Sequence, residues 1–546
     1  MKAALTIRST TCKSINAASN LLAREKTLKT VLYIIFPILL ALATGLSSSV
    51  IDPFHEGEYL GNYLYIRDYY RGLAEFPILI HGAMDYLPAL VAGEIKDGKS
   101  IIFFTRLFNT MAICICWIAW MDMARIILKR SDSRYILGLL FILMFIVMST
   151  AVGNTPVNRQ QAFLGTRDLF LIVGLWCSVK TIDYKNGIMP GLLVALTGFF
   201  SAASFYWSYD RGIMSAVLVI SLSIVYVLGK GRRNALLLVT SYGASILAIS
   251  ATGIAGTLVE NISNVKYWIF NTGDVWFLAQ KLKRDTHLAS LATLIFAATV
   301  IWYSARRTLR TGIDELTPVR FGLVVIQLLF LLKMKSLPAF PVNYYFVWPS
   351  ILLLILLFPK SSVLSTLNLA VKETVERVTQ QKDQRSTAEI FKTACLLSIV
   401  ILFSSNLFIS SMKNIVQSIK PVPDELLLSR KQYGLDNFSS YTAPCIFQWS
   451  NEGIFSFAAR KPYCSKYAYA VYIASNQEQH ALQELKAKPP ELVVYNSPYW
   501  SMKIYERTMK DRLPKIDAFI QENYSMHADP SGYVFATLKG EVVEGK

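Results

Sequence analysis

Asp52-Pro53-Phe54-His55-Glu56-Gly57-Glu58-Tyr59 follows closely on Val31–Ser49, an apolar run long enough to cross a bilayer. Three carboxylates and a histidine therefore stand where the chain leaves its first span. Hydrocarbon strongly disfavours such charge, so the motif belongs at an aqueous edge. Pro53 keeps the chain extended after Asp52, and a helical stretch is expected from Glu56 to Tyr70.

The rest of the chain fits that reading. Of its 546 residues, 53% are hydrophobic and 17% charged, with a mean hydropathy of +0.38. Soluble domains carry about 45–50% apolar and about 25% charged residues, so the apolar excess is assigned to membrane. The net charge of +18 does not imply a nucleic-acid partner, because it falls in short clusters between apolar runs. Runs near spanning length recur about eleven times. They are Val31–Ser49, Ile101–Met121, Tyr135–Met148, Arg159–Val179, Ile188–Tyr206, Gly212–Leu228, Ala235–Ile254, Leu288–Tyr303, Val319–Leu332, Tyr344–Phe358 and Ile390–Ile409. Arg159–Val179 is the weakest, since Arg167 and Asp168 interrupt it.

Every second connection is basic: Arg125 to Arg134, Lys180 and Lys185, Lys230 to Arg233, Arg306 to Arg310, and Lys360 to Lys392. By the positive-inside rule residues 1–29 are cytoplasmic. The acidic motif, Arg159, Asp210, Lys335 and everything after Ile409 then lie outside. The first run is too long for a signal sequence and lacks a clear cleavage site, so it reads as an uncleaved span. The expected fold is mostly α: a polytopic membrane helix bundle over residues 30–410, with an outer loop at 51–100 and a small α/β periplasmic domain at 411–546.

In that tail, Gln477–Lys486 reads as a helix stopped by Pro489-Pro490, Leu492–Tyr495 as a strand, Leu513–Glu522 as a helix and Tyr533–Leu538 as a closing strand. In the outer loop, Tyr59, Tyr63, Tyr65, Tyr69 and Tyr70 suggest short helices along the membrane interface. Gly256 to His287, with Trp268, Phe270, Trp276 and Phe277, reads either as an aromatic belt or as a lid. Cys114, Cys116, Cys177 and Cys395 fall in spans; Cys445 and Cys464 fall outside and are expected to pair. No CxxC or HxxxH spacing suggests structural zinc.

The outer side holds two kinds of charge. Asp52, Glu56 and Glu58 can supply a base, or, with His55, a divalent-cation site. They can equally be an acidic first turn that stabilises a helix dipole. Arg159, Arg167, Arg211, Lys333 and Lys335 can hold a phosphate, or snorkel to headgroups. Asp210 adjoins Arg211, and His81 and Asp85 flank Gly82 in a pair suited either to a ligand or to a structural hydrogen bond.

The arrangement resembles the GT-C superfamily of integral membrane glycosyltransferases, which includes protein O-mannosyltransferases, aminoarabinose transferases and oligosaccharyltransferases. The residues that carry the resemblance are Asp52 to Glu58, His81-Gly82-Ala83-Met84-Asp85, Thr105-Arg106-Leu107-Phe108-Asn109, Arg167-Asp168-Leu169-Phe170 and Tyr209-Asp210-Arg211-Gly212. Many relatives have adjacent acids, whereas here Asp52 and Glu56 stand apart with His55 before Glu56. The resemblance implies a polyprenyl-phosphate sugar donor, an inverting displacement and a carboxylate base, with Asp52 and Glu56 ahead of Glu58. It implies an envelope glycan, lipid or protein acceptor, reached from the bacterial inner membrane. Metal dependence varies among such enzymes and stays open. Two other classes compete: a lipid-linked sugar transporter or flippase, and a surface-polysaccharide polymerase or ligase.

Overall fold

A single chain segment in hydrocarbon can close its backbone hydrogen bonds only as a helix, and helices dominate. The structure is a computed structural model and describes residues 55–70, 75–93, 98–128, 166–184, 187–229, 231–275, 312–314, 316–334, 445–450, 453–496, 507–529 and 532–540, with isolated positions besides. The segment 1–29, the spans expected at Val31–Ser49, Tyr135–Met148 and Ile390–Ile409, and Asp52, Arg159 and Lys335 lie outside these ranges. Leu288–Tyr303 and Tyr344–Phe358 are described only at isolated positions.

Helix α1 (His55–Tyr65) runs into a π-helical turn, Ile66–Tyr70. A 3-10 turn at Ala83–Asp85 leads into α2 (Leu87–Ala92), followed by α3 (Gly98–Leu128). A second 3-10 turn, Thr166–Asp168, opens α4 (Leu169–Lys180). Then come α5 (Met189–Trp207), α6 (Tyr209–Leu228), α7 (Arg232–Thr252), α8 (Leu258–Val275) and α9 (Thr317–Met334). Among the described residues, four helical stretches are long and apolar enough to cross a membrane: Ile101–Ile127, Met189–Trp207, Tyr209–Leu228 and Arg232–Thr252. Thr317–Phe330 is a shorter apolar helix.

α5 packs against α4, α6 and α7, α3 against α4, and α6 against α9. Trp117, Trp120, Leu175, Leu218 and Leu323 fill the centre. Gly198 lets α5 and α7 meet backbone to backbone: a Cβ there would stand 2.7 Å from the Leu238 carbonyl oxygen. Small residues serve membrane helix contacts in this way. Arg167 and Asp168, which interrupt the weakest expected span, form the 3-10 turn in front of α4.

The tail adds β1 (Ile446–Gln448), α10 (Ile454–Ala459), α11 (Glu478–Ala487), β2 (Leu492–Asn496), α12 (Met509–Arg512), α13 (Pro514–Asn523), β3 (Tyr524–Ala528) and β4 (Val534–Leu538). The sheet order is β1-β2-β4-β3, with β1 parallel to β2 and the other pairs antiparallel. Phe447, Val493 and Ala536 face α11 and α13 on one side, packing on Leu482, Leu485, Ile516 and Ile520. Ile446, Leu492, Val494 and Phe535 join a core with Leu60 and Tyr63 of α1, Tyr206, Tyr209 and Phe455. Both faces are covered, which is why the start of β2 reads as an unbroken apolar run. Tyr59, Tyr63 and Tyr65 are 2–3% exposed. Tyr63 joins this core, Tyr59 packs with Met84 and Trp207, and Tyr65 with Tyr463, Tyr469 and Tyr472, so these rings are turned into the protein.

Candidate active site

The described site lies at one end of the bundle, where α3, α4 and α6 begin and α5 ends. Glu56, in the first turn of α1, accepts two hydrogen bonds from Arg106 of α3, Nε to Oε1 at 2.5 Å and Nη2 to Oε2 at 2.9 Å. Both residues are buried, so this bidentate pair is shielded from solvent and salt. The first-turn position favours the acid through the helix dipole, and Arg106 balances it. The sequence reading noted Arg106 only inside a motif. Its signal was an arginine within an apolar run, where ionisable groups are rare and serve a purpose.

Glu58 is 1% exposed and accepts a hydrogen bond from the Tyr472 hydroxyl, which comes from the tail. Tyr59 beside it is 2% exposed, and its hydroxyl has no hydrogen-bond partner among the described residues. Burial holds that phenol well above its ordinary pKa; Asp85 and Glu58 push the same way, and Arg167 opposes them. Tyr59 is therefore a neutral donor between two carboxylates and a guanidinium.

His81 Nδ1 lies 2.7 Å from Asp85 Oδ1, and the His81 backbone N–H donates to Asp85 Oδ2 at 2.8 Å. The His81 carbonyl accepts from Tyr209 N–H at 2.7 Å, tying the loop to the start of α6. Gly82 sits at φ 121°, and a Cβ would meet the Tyr206 carbonyl oxygen at 2.7 Å. Only glycine combines that conformation with so close an approach.

The turn before α4 points its two charges differently. Asp168 accepts from Arg211 Nε at 2.5 Å, while Arg211 Nη1 donates to Asp210 at 2.6 Å. The Arg211 guanidinium also lies 5.0 Å from the centre of the Phe330 ring. Its charge is balanced within the protein. Arg167 is different: it is 8% exposed, its Nε has no hydrogen-bond partner, and no described carboxylate pairs with it. Trp207 Nε1 donates to the Thr166 carbonyl at 2.8 Å and so fixes the turn that presents it. Lys333 lies three residues beyond Phe330 on α9, at this same end of the bundle.

The site is held from above. Asn264 of α8 pairs with the backbone of Pro77 and Leu79, and Trp268 Nε1 donates to the Leu79 carbonyl at 2.6 Å. α8 is therefore a strap on the outer loop, with Ile269 and Phe270 turned outward at 62% and 78% exposed. In the tail, Cys445 and Cys464 are joined by a disulfide. Among the described residues no three His, Cys, Asp or Glu side chains converge as for a metal. The divalent-cation reading of the motif needs Asp52 and the His55 side chain, both outside the described positions.

The helical bundle with its α/β layer is a fold shared with solved structures. It is similar to the oligosaccharyltransferase of Archaeoglobus fulgidus in its apo form, with a TM-score of 0.51 and 12% identity over 94% of this chain and 75% of that one. ArnT from Cupriavidus metallidurans bound to undecaprenyl phosphate aligns with a TM-score of 0.49 and 10% identity, over 95% of this chain and 100% of that one. AglB from Archaeoglobus fulgidus, in complex with an inhibitory peptide and a dolichol-phosphate, aligns with a TM-score of 0.48 and 12% identity, over 98% and 75%. No family model and no curated protein matches the sequence.

Proposed function

We propose that this protein is a membrane glycosyltransferase that moves a sugar from a polyprenyl-phosphate donor to a cell-envelope acceptor. The observation that carries the proposal is Arg167, a buried guanidinium with no described carboxylate, set beside Tyr59, Glu58 and Asp85. A buried cation with no direct carboxylate contact among the described residues is unfavourable by roughly several kcal/mol until an anion completes it. A lipid-linked phosphate at the mouth of the bundle is such an anion.

The chemistry follows from the charges. An acceptor hydroxyl oxygen bonds to the anomeric carbon as the carbon–oxygen bond to phosphate breaks. The bonding pair leaves on the phosphate, held by Arg167, and the acceptor proton passes to a carboxylate of the acidic motif. One displacement inverts the anomeric centre. Glu56 is paired with Arg106, Asp85 with His81 and Asp168 with Arg211, while Glu58 accepts from the neutral Tyr472 hydroxyl; we take Glu58 as the described candidate base. Asp52, four positions before Glu56 in sequence, is the other candidate for that role. Arg159, Lys333 and Lys335 belong to the same proposal as further cations for the phosphate.

On the reading of about eleven spans with a cytoplasmic N-terminus, we assign this end to the periplasm. In support, Arg125, Lys180, Arg232 and Arg233 all gather at the opposite end of the described helices. The test is a deletion strain whose missing envelope glycan is identified by mass spectrometry and then restored by variants. Asp52→Asn, Glu56→Gln and Glu58→Gln should each reduce the product; full product from all three removes the motif from the mechanism. Sugar accumulation in vesicles with no glycan product would favour a transporter instead.

A further inference from the structure

We infer that Tyr472, in the C-terminal layer, is a positioning residue for Glu58, so that the acidic site is complete only when that layer is docked. The inference rests on the reading of Glu58 given above. Tyr472 and Glu58 are 414 residues apart in sequence, yet the hydroxyl donates directly to the carboxylate Oε1, and both are fully buried. Burial, and then the Glu58 charge, hold the Tyr472 phenol well above its ordinary pKa. It stays a donor over the working pH range and favours the ionised form of its partner.

The tyrosine is itself held on every side. The Tyr267 hydroxyl of α8 donates to the Tyr472 carbonyl and accepts the Ala474 N–H at 3.0 Å. Arg512 Nη2 donates to the intervening Ile473 carbonyl at 3.1 Å. The Trp268 and Tyr469 rings meet the Tyr472 ring edge to face, at 5.4 and 4.9 Å between centroids. A side chain needed only to fill space does not require its backbone clamped by two elements. Fixing one rotamer of Tyr472 fixes one rotamer of Glu58, and a base held in one orientation reacts faster than one that samples several.

Other groups surround Glu58. The neighbouring Tyr59 phenol feels Glu58 together with Asp85, Arg167 and Glu56, and Glu56 is itself paired with Arg106. From the tail come Tyr463 and Tyr469. None of these is altered when the Tyr472 hydroxyl alone is removed.

The experiment uses the full chain in lipid nanodiscs and needs no substrate. Infrared difference spectra across a pH titration show protonated carboxyl bands, and the band lost in Glu58→Gln is that of Glu58. Tyr472→Phe keeps the ring packing and removes the donor. The Glu58 band should then appear at a higher pH than in wild type, and glycan product in the complemented strain should fall roughly ten- to a hundredfold. Tyr495→Phe, which perturbs the same layer away from the site, should move neither. If Tyr472→Phe does not fold, Tyr267→Phe, which releases the clamp, should shift the band in the same direction by less. An unmoved band in a folded Tyr472→Phe protein overturns the inference. If the band moves but Glu58→Gln retains full product, the inference about the hydrogen bond stands and the assignment of Glu58 as base fails.

Discussion

Arg106 and Arg167 are both buried arginines at the same end of the bundle, and they predict opposite behaviour. Arg106 shares its charge with Glu56. Glu56→Gln removes the bidentate carboxylate from the buried Arg106 and should lower stability by about 3–5 kcal/mol, read by thermal unfolding in detergent. Arg167 has no such partner among the described residues. Arg167→Met removes a strained charge, so melting should stay level or rise. Binding of undecaprenyl phosphate, followed by its protection against thermal unfolding, should be lost. A destabilised Arg167→Met protein would mean that the guanidinium is structurally paired and not waiting for an anion.

At the level of elements, the contact of α1 with α10 decides where Glu58 stands. A Cβ on Gly57 would lie 2.3 Å from the Ile454 backbone nitrogen, and one on Gly453 2.6 Å from the Gly57 carbonyl carbon. Neither neighbour is a flexible side-chain end, so the helices must part. Gly57→Ala should lower stability by about 1–3 kcal/mol and reduce product further than the stability loss explains, because it displaces the acid next to it. The disulfide acts on the same layer. Cys464 N–H donates to the Ile446 carbonyl, and the bridge pins β1 to the strand-like run that begins the tyrosine cluster. Its 19-residue separation corresponds to about 3 kcal/mol of chain entropy, so Cys464→Ser should lower stability by about that amount.

For the molecule as a whole, the α/β layer has its own titration. Tyr495 donates to Asp517, and its phenol is pushed up to about 12, first by burial and then by that carboxylate. A raised folded-state value means the stabilisation is intact below the ordinary tyrosine range and is lost as pH rises from about 10 to about 12. Tyr495→Phe should therefore flatten the alkaline fall in melting temperature over that window, measured on the full chain.

Much of the architecture was legible because a bilayer judges local composition. The expected Ile188–Tyr206 became Met189–Trp207, and Ala235–Ile254 became Arg232–Thr252, shifts of a few residues at most. Leu492–Tyr495 and Tyr533–Leu538 were visible by their apolar character, and the sheet puts them side by side. β1, β3 and α10 were missed, since runs of three to six residues carry too little pattern. The acidic motif was found as a place, from its position after an apolar run. Which of its acids is engaged, and by what, depends on partners 50 and 414 residues away. Composition along the chain determined that these residues leave the hydrocarbon together. Only the register of packed helices and the docking of the tail decided that Glu56 meets an arginine, that Glu58 meets a tyrosine and that Arg167 meets neither acid, because pairing is set by three-dimensional contact and not by local solubility.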